Sequence, residues 1–196
     1  MNTLSRLIGE ARHLYATAST NSVVVQPAIP ILYFGDSQAF AASPVKVITV
    51  GLNPSRIEFP EQDRFLRFPA AREVVSHDVS DAADAIVGGA LDAYFREKPY
   101  CRWFNPSFEW LLKGLDVSYY GGRCGTALHT DIGSPLATDP TWSRLNDEQR
   151  GQLQASGVEL WHRLVETLQP DAIIISVARW HLDTIQFMPL GPWSVI

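Results

Sequence analysis

The sequence predicts an α/β fold in three layers, α/β/α, with helices on both faces of a mainly parallel central sheet. Apolar runs rich in β-branched residues stand at 45–50, 126–132 and 172–175. Helical periodicity fills the stretches between them, and strands separated by helices imply parallel crossover units. Gly51, Gly133 and Ser176 come directly after the three runs, so each strand should deliver a polar turn to one sheet edge. Ligands bind beyond the carboxyl ends of strands in such sheets.

Each element has its own signal. Leu4, Leu7, Ile8, Ala11, Leu14 and Tyr15 repeat at helical spacing and predict a helix over 3–18. Val23-Val25 and Ile31-Phe34 read as short strands punctuated by Pro27 and Pro30. Val45-Val50 is a buried strand, stopped at Gly51 and broken at Pro54. Residues 54–79 carry no period and read as a long loop, a hint of function in a compact domain. Ser80 caps a helix using Ile86, Val87, Ala90, Leu91, Tyr94 and Phe95. Asn105-Pro106 opens a short helix closed by Gly114, with Trp103, Phe104, Phe108 and Trp110 as core aromatics. Asn146 and Gln149 form a capping box for a helix reaching Leu168, which Pro170 ends. A last helix is expected near 178–185, before a short apolar tail.

The 196 residues suit a single α/β domain over 1–196, expected to be a monomer, and the 46% hydrophobic, 19% charged composition is ordinary for a globular protein. No apolar run approaches the roughly 20 residues of a membrane span. An amphipathic start in place of a basic stretch and greasy core argues against a signal peptide. Cys101 and Cys124 supply neither a disulfide framework nor Cys/His metal spacing, so a cytoplasmic protein without metal is expected. A net charge of −5 weighs against nucleic acid, yet thirteen arginines stand against three lysines. Arg56, Arg64, Arg67 and Arg72 lie shortly after the Gly51 turn and could form a basic lip, or be scattered solvated charges.

Gly51-Leu52-Asn53-Pro54-Ser55 is the strongest chemical feature. Gly permits the sharp turn and Pro stiffens the chain beyond it, so Asn53 is held rigidly with an acceptor oxygen and donor hydrogens. A plain Asn-Pro turn needs no more than this. His129 and Asp131, two apart on a strand, point to one face and could meet one ligand as acid or base. A strand-end His and a turn-capping Asp would look the same. Gly133-Ser134-Pro135 comes next, and Phe59, Phe65 and Phe68 lie in the loop after Asn53, either as a stacking platform or as pins to the core.

Val47-Ile48-Thr49-Val50-Gly51-Leu52-Asn53-Pro54 resembles the first motif of the uracil-DNA glycosylase superfamily, whose mismatch-specific and single-strand-selective branches read Gly, apolar, Asn, Pro, Gly at the end of a buried strand. The order of elements is similar over roughly 45–185, though only this motif is specific. The resemblance implies hydrolysis of the N-glycosidic bond of uracil or a related damaged base in DNA, without metal or cofactor. Asn53 would then position a water, and Asp131 or His129 would read the extruded base, which Phe59 or Phe65 would stack upon. Gly51, Leu52, Pro54, Ser55 and Ser134 would contact the substrate, with Arg56, Arg64 and Arg67 on DNA phosphates. Ser55 departs from the family's Gly. The family also closes with a His-Pro-Ser or Asn-Pro-Ser loop after its last strand, and Trp193-Ser194-Val195-Ile196 shows none, so the domain is expected to lack that closing segment or to have changed activity. Two rivals stay open: a non-catalytic nucleotide or nucleic-acid-binding module on this fold, and a small-molecule hydrolase using His129 and Asp131.

Overall fold

The computed structural model describes residues 3–74 and 80–187. The end of the long loop and the apolar tail with Trp193-Ser194-Val195-Ile196 lie outside the described residues. The fold is mixed α/β around a parallel three-stranded sheet: β1 (Val47–Gly51) lies between β4 (Leu128–Asp131) and β5 (Ala172–Ile175). Both pairings are parallel, with Thr49 opposite His129, Gly51 opposite Asp131, and Val50 opposite Ile175. A central strand flanked on both sides and buried on both faces requires a continuous apolar run. Val47, Ile48, Thr49 and Val50 are fully buried accordingly.

Strand alternation sends Thr49, His129 and Asp131 to one face and Val50 and Thr130 to the other. The second face is covered by α6 (Asp147–Leu168), whose buried Trp161 donates its indole N–H to Thr130 Oγ1 at 3.0 Å. The capping box is present: Gln149 N donates to Asn146 Oδ1 and Asn146 N to Gln149 Oε1. Midway along α6, a Cβ on Gly157 would overlap Gly133 O, so only glycine lets the helix ride this close over the turn after β4. α1 (Thr3–Thr17) packs against α6 and against α3 (Asp81–Ala93), where the nearly buried Arg12 and Asp84 pair at 2.6 Å.

The first face of the sheet meets an aromatic cluster. Phe34, Phe104 and Phe108 surround the His129 ring at 5.2–5.6 Å, and Tyr94, from the turn ending α3, packs edge-on against Phe34. Phe104 closes α4 (Cys101–Phe104), which runs through a wide π turn at Asn105–Glu109 into α5 (Trp110–Gly114). Helix therefore begins at Cys101, ahead of the expected Asn105-Pro106 start. The wide turn absorbs the N–H that Pro106 lacks. Two brief strands, β2 (Val117–Ser118), which the sequence did not signal, and β3 (Gly125–Thr126), which takes the first residue of the run expected at 126–132, pair in parallel and carry Tyr119 toward Thr49.

Three further expectations need correction. Val23-Val25 and Ile31-Phe34 form no strands. They are buried irregular chain tied by single bridges, Val24 to Thr138 and Phe34 to His129. Prolines at 27 and 30 remove the donors a continuous ladder needs. Phe34 exchanges both backbone hydrogen bonds with His129, so this segment covers the outer edge of β4. The last helix is a 3₁₀ run over Arg179–Thr184, and of the four aromatics expected in the core near α4 and α5, Phe104 and Phe108 are buried while Trp103 and Trp110 are exposed. No helix among the described residues is long and apolar enough to cross a membrane.

Candidate functional site

At the carboxyl ends of the three strands lies a cavity of about 370 Å³. All three strand exits reach it: Leu52, Asn53, Pro54 and Ser55 after β1, Asp131 at the end of β4, and Ser176 after β5. Phe34, Tyr100, Trp103 and Phe104 form an aromatic wall, and Ile57, Glu58, His129 and Thr141 complete the lining. No Lys or Arg is among the described residues that line it.

Asn53 is oriented by its own turn. Its Nδ2 donates to Pro54 O at 2.7 Å, to Thr138 Oγ1 at 2.9 Å and to Leu136 O at 3.3 Å. Carbonyl oxygens only accept, so these partners fix which end of the amide is nitrogen. The donor hydrogens are therefore engaged, contrary to the free donor expected from sequence. Oδ1 takes no hydrogen bond among the described residues and is the acceptor left on this cavity-lining residue.

His129 and Asp131 do meet on one face, with His129 Nε2 3.7 Å from Asp131 Oδ1 and both residues buried. Gly51 makes this approach possible: a Cβ there would stand 2.6 Å from Asp131 Oδ1 and 3.2 Å from His129 Nε2. Behind the pair, Thr49 Oγ1 lies 2.7 Å from His129 Nδ1 and forms a short hydrogen bond with the Tyr119 hydroxyl. Burial pushes Tyr119 above its ordinary range, so it remains an O–H group. The proton arrangement that leaves no lone pair facing a carboxylate runs Tyr119 O–H to Thr49, Thr49 O–H to His129 Nδ1, and His129 Nε2–H toward Asp131. Thr49 on β1 and Asp131 on β4 thus hold the His129 ring from its two nitrogens.

Glu58 is the site residue that sequence reasoning missed. It lies in an unpatterned loop, yet it is buried and lines the cavity. Its Oε2 accepts from Tyr94 O–H at 2.7 Å and sits 3.6 Å from Arg67 Nε. Burial pushes the carboxyl up to about 7. The Tyr94 hydrogen bond and the Arg67 charge oppose that rise, and the negative charge of Asp131 adds to it. Nothing local in the sequence marks this position, because Tyr94 is 36 residues away.

Other expected residues fall elsewhere. Ser134 is fully buried, its Oγ accepting from Leu136 N as a turn cap. Phe59 is fully buried and stacked on Phe68 at 5.4 Å, with Phe65 edge-on to it, so these phenylalanines pin the loop and the cavity's aromatic wall comes from other segments. Ser55 lines the cavity while its Oγ accepts from Ile57 N. Arg64 donates to Phe59 O, and Arg67 to Ile57 O and Lys98 O, its guanidinium lying over the Tyr100 ring. These two arginines staple the loop. Arg56 is exposed, in a 3.5 Å pair with Asp139. No protein-family model, curated protein or solved structure matches this chain.

Proposed function

We propose that this protein is a DNA glycosylase-like hydrolase, of three-layer uracil-DNA glycosylase type, that cleaves the N-glycosidic bond of uracil or a related damaged base. The observation that carries the reading is the Asn53 amide, clamped through Nδ2 so that Oδ1 is its remaining acceptor, on a residue that lines the same cavity as Asp131. Breaking this bond builds positive charge on the sugar. A cavity lined by the Asp131 carboxylate and, among the described residues, by no Lys or Arg is an electrostatic match for that charge. Asn53 Oδ1 accepts a hydrogen bond from the attacking water, Asp131 takes the proton that the water loses, and the His129 imidazole holds Asp131 in place. The volume is near the lower end of the roughly 300–1,000 Å³ usual for ligand sites, as suits one base with its sugar. Trp103, half exposed at the rim, and Tyr100 supply faces for stacking.

One observation favours a smaller substrate, the small-molecule hydrolase reading: Arg64 and Arg67 are bonded to loop carbonyls and leave few groups for a phosphate backbone. The test is base release from uracil-containing single- and double-stranded oligonucleotides beside free deoxyuridine. Abasic sites in the oligonucleotides support the DNA reading, activity on the nucleoside alone supports the small-molecule reading, and no release from either substrate removes both.

A further inference from the structure

The departing base presents a problem that Asn53 and Asp131 do not solve. Its glycosidic nitrogen leaves with the bonding electron pair, and no Lys or Arg among the described residues lines the cavity to stabilise the resulting anion. His129 has its Nδ1 engaged by Thr49 and its Nε2 turned to Asp131. A second carboxylate would repel the anion. A base that leaves protonated avoids this cost, and that route needs an acid in the cavity.

We propose that Glu58 is this acid, giving its proton to the departing base in the cavity it shares with Asp131. The inference rests on the glycosidic reading above. Glu58 lines the cavity while only 5% exposed, and Tyr94 O–H fixes one of its oxygens. Oε1 takes no hydrogen bond among the described residues and is the atom that carries the proton. The charged and titratable groups around it are Tyr94 at the end of α3, Arg67 in the loop, Tyr100 before α4, and Asp131 with His129 on β4. Burial and the Asp131 charge hold Glu58 protonated well above the range of an ordinary carboxyl, against Arg67 and Tyr94. The step balances. The C1′–N bond breaks, its electron pair takes the Glu58 proton, and the water oxygen bonds to C1′ as its proton passes to Asp131. Proton return from Asp131 to Glu58 through water resets the pair, much as environments push paired carboxyls into separate acid and base roles.

The experiment compares wild type with Glu58→Gln on oligonucleotides carrying uracil or 5-fluorouracil, whose fluorine makes the base a better anion. Glu58→Gln should lose about 100-fold on uracil yet stay within about tenfold of wild type on 5-fluorouracil. Equal loss on both bases, or no loss on either, overturns the assignment. Binding of free uracil, monitored by tryptophan fluorescence, separates this failure from that of the glycosidic reading. Wild type should bind uracil tighter at about pH 6 than at about pH 8, and Glu58→Gln should bind equally at both. A wild type that binds with this pH dependence but releases no base retains Glu58 as proton donor and loses the hydrolase reading. Absent or pH-independent binding by wild type overturns the proposal.

Discussion

Asn53→Asp looks conservative from sequence, since Asp could still accept from a water, yet the structure predicts that it is worse than Asn53→Ala. The Asn53 Nδ2 hydrogen bonds run to two carbonyls and a hydroxyl. Alanine forfeits them, and at roughly 1 kcal/mol per net hydrogen bond the cost is about 2–3 kcal/mol. A carboxylate forfeits the two carbonyl bonds and places a negative oxygen against Pro54 O and Leu136 O, within 2.7–3.3 Å of where nitrogen stood. Leaving such groups unsatisfied beside a charge costs roughly another 1–3 kcal/mol, for about 3–5 kcal/mol in all at neutral pH. A protonated Asp can donate one of these bonds again. Its folded-state pKa is therefore raised, and stability present below the unfolded carboxyl pKa is lost as pH rises through the folded one. Urea denaturation of wild type, Ala and Asp variants at about pH 5 and pH 8 reads this directly. Asp should be the least stable variant at the higher pH and should recover at the lower. An Asp variant as stable as wild type at both would mean that the amide is oriented the other way and that Oδ1 is not the free acceptor.

Other perturbations probe the same site. Gly51→Ala must displace Asp131 and His129, whose atoms lie 2.6 and 3.2 Å from the added Cβ, so activity should fall at least about tenfold with a stability loss of roughly 1–3 kcal/mol. Full activity would show that the pair is not held over Gly51. Glu58 has its carboxyl raised from an ordinary 4.5 to about 7, so its stabilising contribution is complete below the lower value and lost as pH rises through the upper, by about 3 kcal/mol in total. Glu58→Gln should remove that slope in urea titrations, and an unchanged slope would place the titration on another group. For DNA binding, Arg56→Ala should flatten the salt dependence by about 0.9 log units per log unit of salt. Arg64→Ala and Arg67→Ala should instead lower the melting temperature with the salt slope unchanged, because their guanidinium groups hold loop carbonyls.

The parts of this protein that were legible in sequence are those set by local pattern. The run 45–50 announced the central strand, observed at Val47–Gly51, because burial on both faces favours β-branched residues, and Asn146 with Gln149 announced the start of α6 through two reciprocal hydrogen bonds. Strand alternation alone was enough to put His129 and Asp131 on one face. Features decided at long range were hidden. Glu58 is packed against Tyr94, 36 residues away, and its pKa is raised by burial and by the charge of Asp131, against the Tyr94 hydrogen bond. The segments at 23–34 carry strand-like composition, but their backbone partners are isolated residues of 129–138 rather than a ladder. The phenylalanines after Asn53 were the nearest aromatics in sequence, while the cavity wall was assembled from Phe34 and the 100–104 segment. Arginine spacing suggested a lip because spacing cannot reveal which guanidinium groups are already bonded to the loop.

The central claim is that Asn53 Oδ1 orients the water attacking a glycosidic bond. Its most direct test is a single-turnover base-release assay on uracil-containing DNA, wild type against Asn53→Ala, with substrate affinity measured in parallel. An interaction made mainly in the transition state should slow release by about 100- to 1,000-fold when removed, with affinity nearly unchanged. An Asn53→Ala protein that releases uracil as fast as wild type, or a wild type that releases none, would contradict it.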